Sequence, residues 1–319
     1  MSKLKSGTRA RLMSKPNVHA VWTDPRTGKV NVGVTKKVPL VGLSSDQVIP
    51  MEVDDGIRTD VIEMGPIVAR GLTEKRRPCP GGFSVGHKSI TAGTLGLWVM
   101  KDGKPMILSN NHVLANSNEA VVGDTVTQPG PVDLDGLTTD PSNWIGRLHS
   151  FVTINSEDGG PMPPGCLDQI PWPGGKSPFN ISQPYPNLVD CALAEEWGTG
   201  YTPEMHRLNR PSVVRDAVVS EKVTKVGRTT EVTSGWVEAI DLSVQVQYGS
   251  FIALFEDQLM IFTDSNPFSQ GGDSGSAILS EDQAALVGLL FAGGTMSDGR
   301  DVTIANRISH VRSLLDFTL

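Results

Sequence analysis

Residues 271–276 read Gly-Gly-Asp-Ser-Gly-Ser, and this stretch constrains the local fold more than any other part of the chain. It lies between a polar segment, residues 266–270, and an apolar run, residues 277–279, which predicts a tight turn leading into a buried strand. Glycine adopts positive φ angles without steric cost and leaves the neighbouring backbone N–H groups uncovered. Such a turn can present the Ser274 hydroxyl beside N–H donors for a developing oxyanion. An ordinary glycine-rich hairpin would show the same pattern.

Two further segments carry side chains that suit a nucleophilic serine. His112 follows an apolar, strand-like run at residues 107–108, and Asp190 is the single carboxylate in an apolar stretch at residues 187–194. A buried carboxylate is costly unless it is paired, so Asp190 requires a partner such as a histidine. The order His112, Asp190, Ser274 is that of the chymotrypsin arrangement and differs from the subtilisin and α/β-hydrolase orders.

Other residues compete for two of these roles. Asp124, in the sequence Gly-Asp-Thr, is the rival to Asp190, but its context is that of a turn, which favours Asp190. The five remaining histidines lack the flanking pattern of His112 and are predicted to be structural or surface residues: His19, His87, His149, His206 and His310.

The three motifs resemble those of the chymotrypsin/trypsin-like serine protease family. The matching patterns are Gly-Asp-Ser-Gly around Ser274, Asn-His-Val-Leu around His112 and Asp-x-Ala around Asp190. The amino-acid sequence of residues 109–116 resembles that of a bacterial branch of the family, and the resemblance covers roughly residues 82–319. The resemblance implies a mainly β fold: two six-stranded antiparallel β-barrels with a C-terminal helix, preceded by a small α+β module.

The resemblance also implies an activity. A serine endopeptidase of this kind uses Ser274 as nucleophile, His112 as general base and Asp190 to orient His112, and it passes through an acyl-enzyme intermediate. The backbone N–H groups of Gly272 and Ser274 are then the candidate oxyanion hole. Two alternatives stay open: a non-catalytic binding protein on the same fold, and an esterase-type acyl hydrolase with the same triad.

Substrate preference and activation follow less directly from the same resemblance. The residues that the family uses for its substrate pocket correspond here to Phe268, Ser269, Phe291, Ala292 and Gly293. None is acidic, so we expect a small or apolar side chain to be preferred over arginine or lysine. In secreted relatives the residue equivalent to Asp273 pairs with a newly cleaved apolar N-terminus; no such start follows a basic site here. Activation by that route is therefore not expected.

The chain divides into four predicted parts. Residues 1–16 form a basic tail or short helix, residues 17–65 a small module, residues 66–80 a linker and residues 81–319 the protease domain. In the module, strands are predicted at residues 18–22, 30–34 and 59–63, and a helix start at residues 44–47. The charged, Pro-terminated segment 73–78 is predicted to be exposed.

Within residues 81–319 the first barrel is assigned to about 81–205 and the second to about 206–319. A hairpin turning at Asp102-Gly103 is predicted to deliver His112. Residues 128–187, rich in proline and glycine, are predicted to be a long insertion, and residues 306–317 an amphipathic closing helix.

Composition limits the remaining possibilities. The net charge of −7 argues against a general nucleic-acid surface. The three cysteines lack metal-ligand spacing; Cys191 is predicted to be a core residue, and a Cys79–Cys166 bridge is conceivable but not expected. No metal or cofactor is predicted. The expected partner is a protein or peptide substrate, and the N-terminal module is a candidate site for an oligomeric or regulatory partner.

The N-terminus and the hydropathy of the chain give an expectation for localisation. Residues 1–15 are basic without an apolar core, and no apolar run reaches the roughly 18 residues that span a bilayer. A cytoplasmic protein is expected, with export by a non-Sec route left open.

Overall fold

The computed structural model describes residues 4–54, 56–64, 72–134, 137–156, 180–264 and 267–319. The chain forms two compact units, Met1–Ala69 and Arg70–Leu319. None of the helices in the described ranges combines the length and apolarity needed to span a bilayer.

The N-terminal unit is a small sheet with one helix. Its elements are α1 (Ser6–Met13), β1 (Val18–Thr23), β2 (Val30–Val34), β3 (Glu52–Val53) and β4 (Ile57–Glu63), with strand order β1-β2-β4-β3. Strands β2 and β4 are parallel, and the other pairs are antiparallel. The three predicted strands are confirmed.

The short helix predicted as one of two possibilities for residues 1–16 is present as α1. Helix α1 belongs to the unit, because Leu12 packs in its core and Thr8 Oγ1 donates to Asp54 Oδ1 at 2.5 Å. The helix start predicted at residues 44–47 is wrong. Gln47 Oε1 accepts from the Ser44 backbone N–H at 3.1 Å and closes a turn there, and no helix follows.

The second unit begins with an antiparallel barrel. The elements of this region are β5 (Cys79–Gly81), β6 (Ser84–His87), β7 (Gly93–Thr94), β8 (Leu97–Lys101), β9 (Lys104–Ser109), α2 (Asn111–Leu114), β10 (Thr125–Thr127), β11 (Trp144–Val152), β12 (Asn180–Ile181), β13 (Ala192–Glu196) and β14 (Tyr201–Met205). Outside the barrel, β5 and β14 form a separate parallel pair, and β12 pairs in parallel with β11. The main sheet has the order β7-β6-β10-β11-β13-β9-β8.

Strands β7 and β8 are two halves of one bent strand that closes this barrel. Between them, Leu95 N donates to Phe83 O on the β6 side, and Gly96 N donates to Leu108 of β9. Counting β7 and β8 together, the barrel has six strands. The hairpin from β8 to β9 turns at Asp102 and Gly103, with φ angles of 50° and 75°, as predicted.

A second six-stranded barrel follows. Its elements are β15 (Val213–Val214), β16 (Lys222–Gly227), β17 (Glu231–Tyr248), β18 (Phe251–Phe262), β19 (Ala277–Ser280), β20 (Ala285–Thr295), β21 (Asp301–Arg307) and α3 (Ile308–Leu315). The ring β20-β19-β16-β17-β18-β21 closes because β20 also pairs with β21. The predicted two-barrel fold and its closing helix are thus confirmed; α3 buries Ile308, Val311 and Leu315 against the core of the first barrel.

Part of the segment interpreted as an insertion is barrel. Strand β11 lies within residues 128–187 and pairs with both β10 and β13. Most residues of β11 are buried, but the Pro-rich and Gly-rich segments around it in the sequence led to its being interpreted as part of a loop. Residues 157–179, which include Cys166, lie outside the described residues.

The predicted linker extends into the second unit. Glu74, Lys75 and Arg76 are exposed as expected, but Leu72 is buried in the first core. Gln128 holds the main chain, because its Nε2 donates to Glu74 O at 2.9 Å and its Oε1 accepts from Arg76 N at 2.9 Å.

Candidate active site

His112 and Asp190 meet at one end of the first barrel. His112 lies on α2, directly after β9, and Asp190 precedes β13, the strand that pairs with β9. His112 Nδ1 lies 2.6 Å from Asp190 Oδ2, and the backbone N–H of His112 donates to Asp190 Oδ1 at 3.2 Å. Asp190 is fully buried, whereas the His112 side chain is 22% exposed. The carboxylate therefore fixes the orientation of the imidazole through Nδ1, and Nε2 is the ring nitrogen that this contact does not engage.

Residues that sequence reasoning missed hold Asp190 in place. Asn110 Nδ2 donates to the Asp190 carbonyl at 2.7 Å, and Asn306 Oδ1 accepts from Asp190 N at 3.1 Å. Tyr248 OH donates to Asp190 Oδ2 at 2.8 Å. Asn110 stands beside the histidine motif and could have been suspected. Tyr248 and Asn306 come from strands 58 and 116 residues away, so no local pattern points to them.

The loop that carries Ser274 packs against the first barrel near His112. Thr94 N donates to the Ser274 carbonyl at 2.8 Å. Gly93 lies between the two motifs: a Cβ atom there would come within 3.0 Å of the Ser274 carbonyl and would also clash with Val113. The barrel contact thus places the serine next to the residue that follows the histidine.

The Ser274 hydroxyl contacts a backbone carbonyl of the second barrel. Its Oγ lies 3.4 Å from the Phe291 carbonyl, and among the described residues no hydrogen bond joins it to His112. Catalytic hydrogen bonds are often long or absent without substrate.

Hydrogen bonds hold the carbonyl groups of two peptides in the turn around Ser274. The Gly271 carbonyl accepts from Thr229 Oγ1 at 2.7 Å, and the Asp273 carbonyl accepts from Ser276 N and Oγ at 3.0 and 2.6 Å. In a planar trans peptide the N–H points opposite to the carbonyl, so the N–H groups of Gly272 and Ser274 face away from these partners. Neither donates to an acceptor in the described part of the chain. Both N–H groups are therefore available to an acceptor that is not part of the turn.

The side chain of Asp273 ties the same turn to neighbouring segments of the second barrel. Its carboxylate accepts from Thr229 N at 2.8 Å, Gln270 N at 2.9 Å and Thr230 Oγ1 at 2.7 Å. Lys225 Nζ lies 3.6 Å away, with both side chains fully buried. Burial lowers the pKa of Lys225 to about 8, against the pull of Asp273. Lys225 is a buried cation between Thr224 and Val226 in β16, whereas Lys222 at the start of that strand is exposed.

The rival residues have other partners. Asp124 Oδ2 lies 3.2 Å from His87 Nε2, and Asp124 Oδ1 lies 2.6 Å from Lys88 Nζ. Burial lowers the pKa of His87, so it is a neutral partner of Asp124. His310 pairs with Asp257 at 2.7 Å.

The predicted substrate pocket is only partly supported. Phe268 and Phe291 are 1% and 3% exposed and pack in two separate cores, so their side chains do not face a ligand. The Phe268 side chain, predicted as the pocket floor, packs in a hydrophobic cluster of the second barrel, and its backbone carbonyl accepts from Thr233 Oγ1 at 2.7 Å. Ala292 and Gly293 are more exposed on β20, and Ser269 Oγ shares a 2.7 Å hydrogen bond with Thr303 Oγ1 beside Gly293.

The cysteines and possible metal ligands add no chemistry within the described ranges. Cys79 and Cys191 are free and buried, and burial raises the pKa of both thiols. No group of three or more His, Cys, Asp or Glu residues in the described part of the chain could hold a metal ion.

The comparisons concern family and fold. A family model described as the Nal1 C-terminal domain matches residues 189–310, a range that includes Asp190 and Ser274 but not His112. No curated protein matches the sequence significantly.

Among solved structures, the chain is similar to chymotrypsin-like bacterial serine proteases. One is a glutamic-acid-specific serine protease described as using a histidine triad in substrate binding, with 18% identity and a TM-score of 0.48 over 75% of this chain and 98% of that chain. Thermobifida fusca Protease A has 15% identity and a TM-score of 0.48, over 75% and 97%. Nocardiopsis protease has 16% identity and a TM-score of 0.47, over 75% and 97%. At these identities the likeness concerns the fold alone.

Proposed function

We propose that this chain is a serine endopeptidase with His112, Asp190 and Ser274 as its catalytic triad. The observation that carries the proposal is the 2.6 Å contact between His112 Nδ1 and a fully buried Asp190, together with the two unengaged N–H groups that flank Ser274. A buried carboxylate that orients a partly exposed imidazole is the arrangement that makes histidine an effective general base.

The proposed reaction proceeds in two halves. His112 Nε2 removes the Ser274 proton as Oγ attacks the carbonyl carbon, and the N–H groups of Gly272 and Ser274 bind the resulting oxyanion. Collapse breaks the C–N bond, and His112 passes the proton to the leaving amine. A water molecule, deprotonated by His112, then attacks the acyl-enzyme and releases the acid while the proton returns to Ser274.

We infer that the side chain preceding the cleaved bond is small or apolar. Ala292 and Gly293 line the exposed part of β20, and the nearest polar pair, Ser269 and Thr303, is neutral. A digest of a peptide library tests this preference; consistent cleavage after arginine or lysine would contradict it.

Labelling with a fluorophosphonate tests the nucleophile. The wild type is expected to be labelled at Ser274 and to hydrolyse peptides, whereas Ser274→Ala abolishes both with unchanged stability, because a partly exposed hydroxyl contributes little to folding. An unlabelled wild type would favour the binding-protein alternative. Labelling with ester but no peptide hydrolysis would favour the esterase.

The two candidate aspartates provide a matched pair of variants. Asp190→Asn is expected to lower kcat about 10⁴-fold, because the amide favours the wrong histidine tautomer. Asp124→Asn should leave kcat near the wild-type value, since Asp124 pairs with His87. The reverse pattern would reject the assignment.

The N-terminal unit is proposed to act on the protease as a regulatory or assembly element. Its own hydrophobic core and sheet support an independent role. Comparison of the full chain with a variant that lacks it, on a short peptide and on a folded protein, tests this role. If the full chain and the truncated variant have the same activity on each of the two substrates, a regulatory role of the unit is excluded.

A further inference from the structure

The long hairpin formed by β17 and β18 reaches from the second barrel to the Asp190 segment of the first. Asn187, three residues before Asp190, donates from its backbone N–H to Leu254 O at 2.9 Å, and Glu256 N donates to Asn187 O at 3.0 Å. Through these two hydrogen bonds, β18 of the hairpin is joined to the segment of the first barrel that carries Asp190. Tyr248, the last residue of β17, lies at its tip.

The Tyr248 hydroxyl is the second side-chain donor to the carboxylate oxygen that binds His112. Asp190 Oδ2 accepts from Tyr248 OH at 2.8 Å and lies 2.6 Å from His112 Nδ1, while Oδ1 accepts from the His112 backbone. Burial, followed by the charge of Asp190, raises the pKa of Tyr248 well above its ordinary value. The hydroxyl thus stays protonated and can only donate to the carboxylate.

Aromatic packing fixes the position of this hydroxyl. The Tyr248 ring stacks on Phe251 at 5.3 Å with an interplanar angle of 15°, and it lies 6.1 Å from Phe255. Phe255 in turn contacts Phe291, whose carbonyl lies 3.4 Å from Ser274 Oγ. The packed chain of rings therefore joins the Asp190 end of the site to the serine end.

We propose that Tyr248 is a positioning residue of the catalytic triad: it holds Asp190 in the rotamer that orients His112 and shares the charge of Oδ2. This inference rests on the proposed function for its kinetic consequences, but its effect on His112 does not depend on turnover. In the described part of the chain, the Cys191 thiol is a further titratable group beside Asp190, and its burial raises its pKa and keeps it neutral.

Tyr248→Phe removes the hydroxyl and keeps the ring. Without this donor, Oδ2 carries more negative charge toward His112, so the protonated imidazole is stabilised and its pKa rises. We expect the His112 titration, followed by NMR and assigned with His112→Ala, to move upward by about half a unit or more. Tyr201→Phe is the matched control, because Tyr201 is 45% exposed and should leave the midpoint unchanged.

Fluorophosphonate labelling supplies the functional arm. The labelling rate of Tyr248→Phe is expected to fall about tenfold to a hundredfold through misorientation of the base, with the acid limb of its pH profile displaced in the same direction as the NMR midpoint. An unmoved His112 midpoint in a folded Tyr248→Phe protein would overturn the inference. If the wild type itself is not labelled, the proposed function fails, while the NMR midpoint still decides the role of Tyr248.

A second measurement avoids the risk that Tyr248→Phe does not fold. The chain has three tyrosines, so 3-fluorotyrosine in a Tyr185→Phe/Tyr201→Phe background leaves Tyr248 as the single fluorine probe. Its ¹⁹F resonance is expected to titrate with the midpoint of His112 and to lose that transition in His112→Ala. A resonance that ignores His112 would count against the inference.

Discussion

The ammonium group of Lys225 lies 3.6 Å from Asp273 Oδ2, and neither side chain is exposed to solvent. Asp273 directly precedes the proposed nucleophile, so this ion pair supports the turn that carries both proposed oxyanion donors. In secreted trypsin-like enzymes, as the family resemblance implies, the corresponding carboxylate obtains its cation only when proteolytic cleavage releases a new N-terminus. Here the cation belongs to β16 and is present as soon as the barrel folds. We therefore expect the turn to form without proteolytic cleavage.

Removal of Lys225 should be costly for stability. Lys225→Met leaves the Asp273 carboxylate buried without its cation, and breaking a buried pair in this way costs about 3–5 kcal/mol. Urea denaturation measures this loss, and the double variant Lys225→Met/Asp273→Asn should recover at least half of it. Lys222→Met on the same strand is the control, because Lys222 is 72% exposed and should change stability by less than about 0.5 kcal/mol. Equal effects of the two single variants would contradict the prediction.

The same pair predicts an alkaline limit to activity. The folded pKa of Lys225 is about 8, so its charge is lost as the pH rises through that value, and kcat/KM should fall with a midpoint near 8. The effect on folding has the opposite sign. The ordinary pKa is 10.5, so between these values the unfolded chain binds more protons and the contribution of Lys225 to the free energy of unfolding rises. Measurements of kcat/KM and of urea midpoints across this window test both; constant activity to pH 10 would refute the assignment.

Thr229 should affect turnover although it does not touch the substrate. Its hydroxyl holds the Gly271 carbonyl at 2.7 Å and thereby directs the N–H of Gly272. Thr229→Val frees that peptide to rotate, and we expect kcat to fall about tenfold to a hundredfold, less than for outright loss of a donor, with KM little changed. Thr295→Val serves as control, since the hydroxyl of Thr295 donates to Asp301 at 2.9 Å on an exposed hairpin. A change confined to KM would argue against a role in the oxyanion hole.

The start of the second unit can be tested by truncation. A chain that begins at Arg70 keeps Leu72 in the core and the contacts of Gln128 with Glu74 and Arg76. A chain that begins at Pro78 loses them, and loss of the buried leucine alone should cost about 2–5 kcal/mol. Thermal unfolding of the two fragments gives the comparison. Equal midpoints would show that residues 70–77 contribute nothing to the unit.

Local sequence patterns predicted most residues of the candidate site, which remains a proposal, because these residues interrupt strong local signals. Asp190 is conspicuous in an apolar stretch, and the Asp102-Gly103 turn and the glycines around Ser274 mark backbone conformations that few other residues adopt. By contrast, β11 was hidden by the composition of its flanks, and the linker appeared free because its anchor, Gln128, lies more than fifty residues away. Tyr248 and Asn306 could not be found either, because their contacts with Asp190 exist only after two barrels have closed.

The hydrogen bonds of Asp190 also determine when the candidate site can form during synthesis of the chain. They join it to His112, Tyr248 and Asn306, which lie 78, 58 and 116 residues away in the chain. Contacts of such sequence separation are made late, because the entropy of closing long loops must be overcome first. A nascent chain that ends before residue 306 lacks one of these supports, and one that ends before residue 274 lacks the proposed nucleophile as well. The proposed chemistry therefore requires a chain that has been synthesised past residue 306, and shorter nascent chains are not expected to cleave peptides.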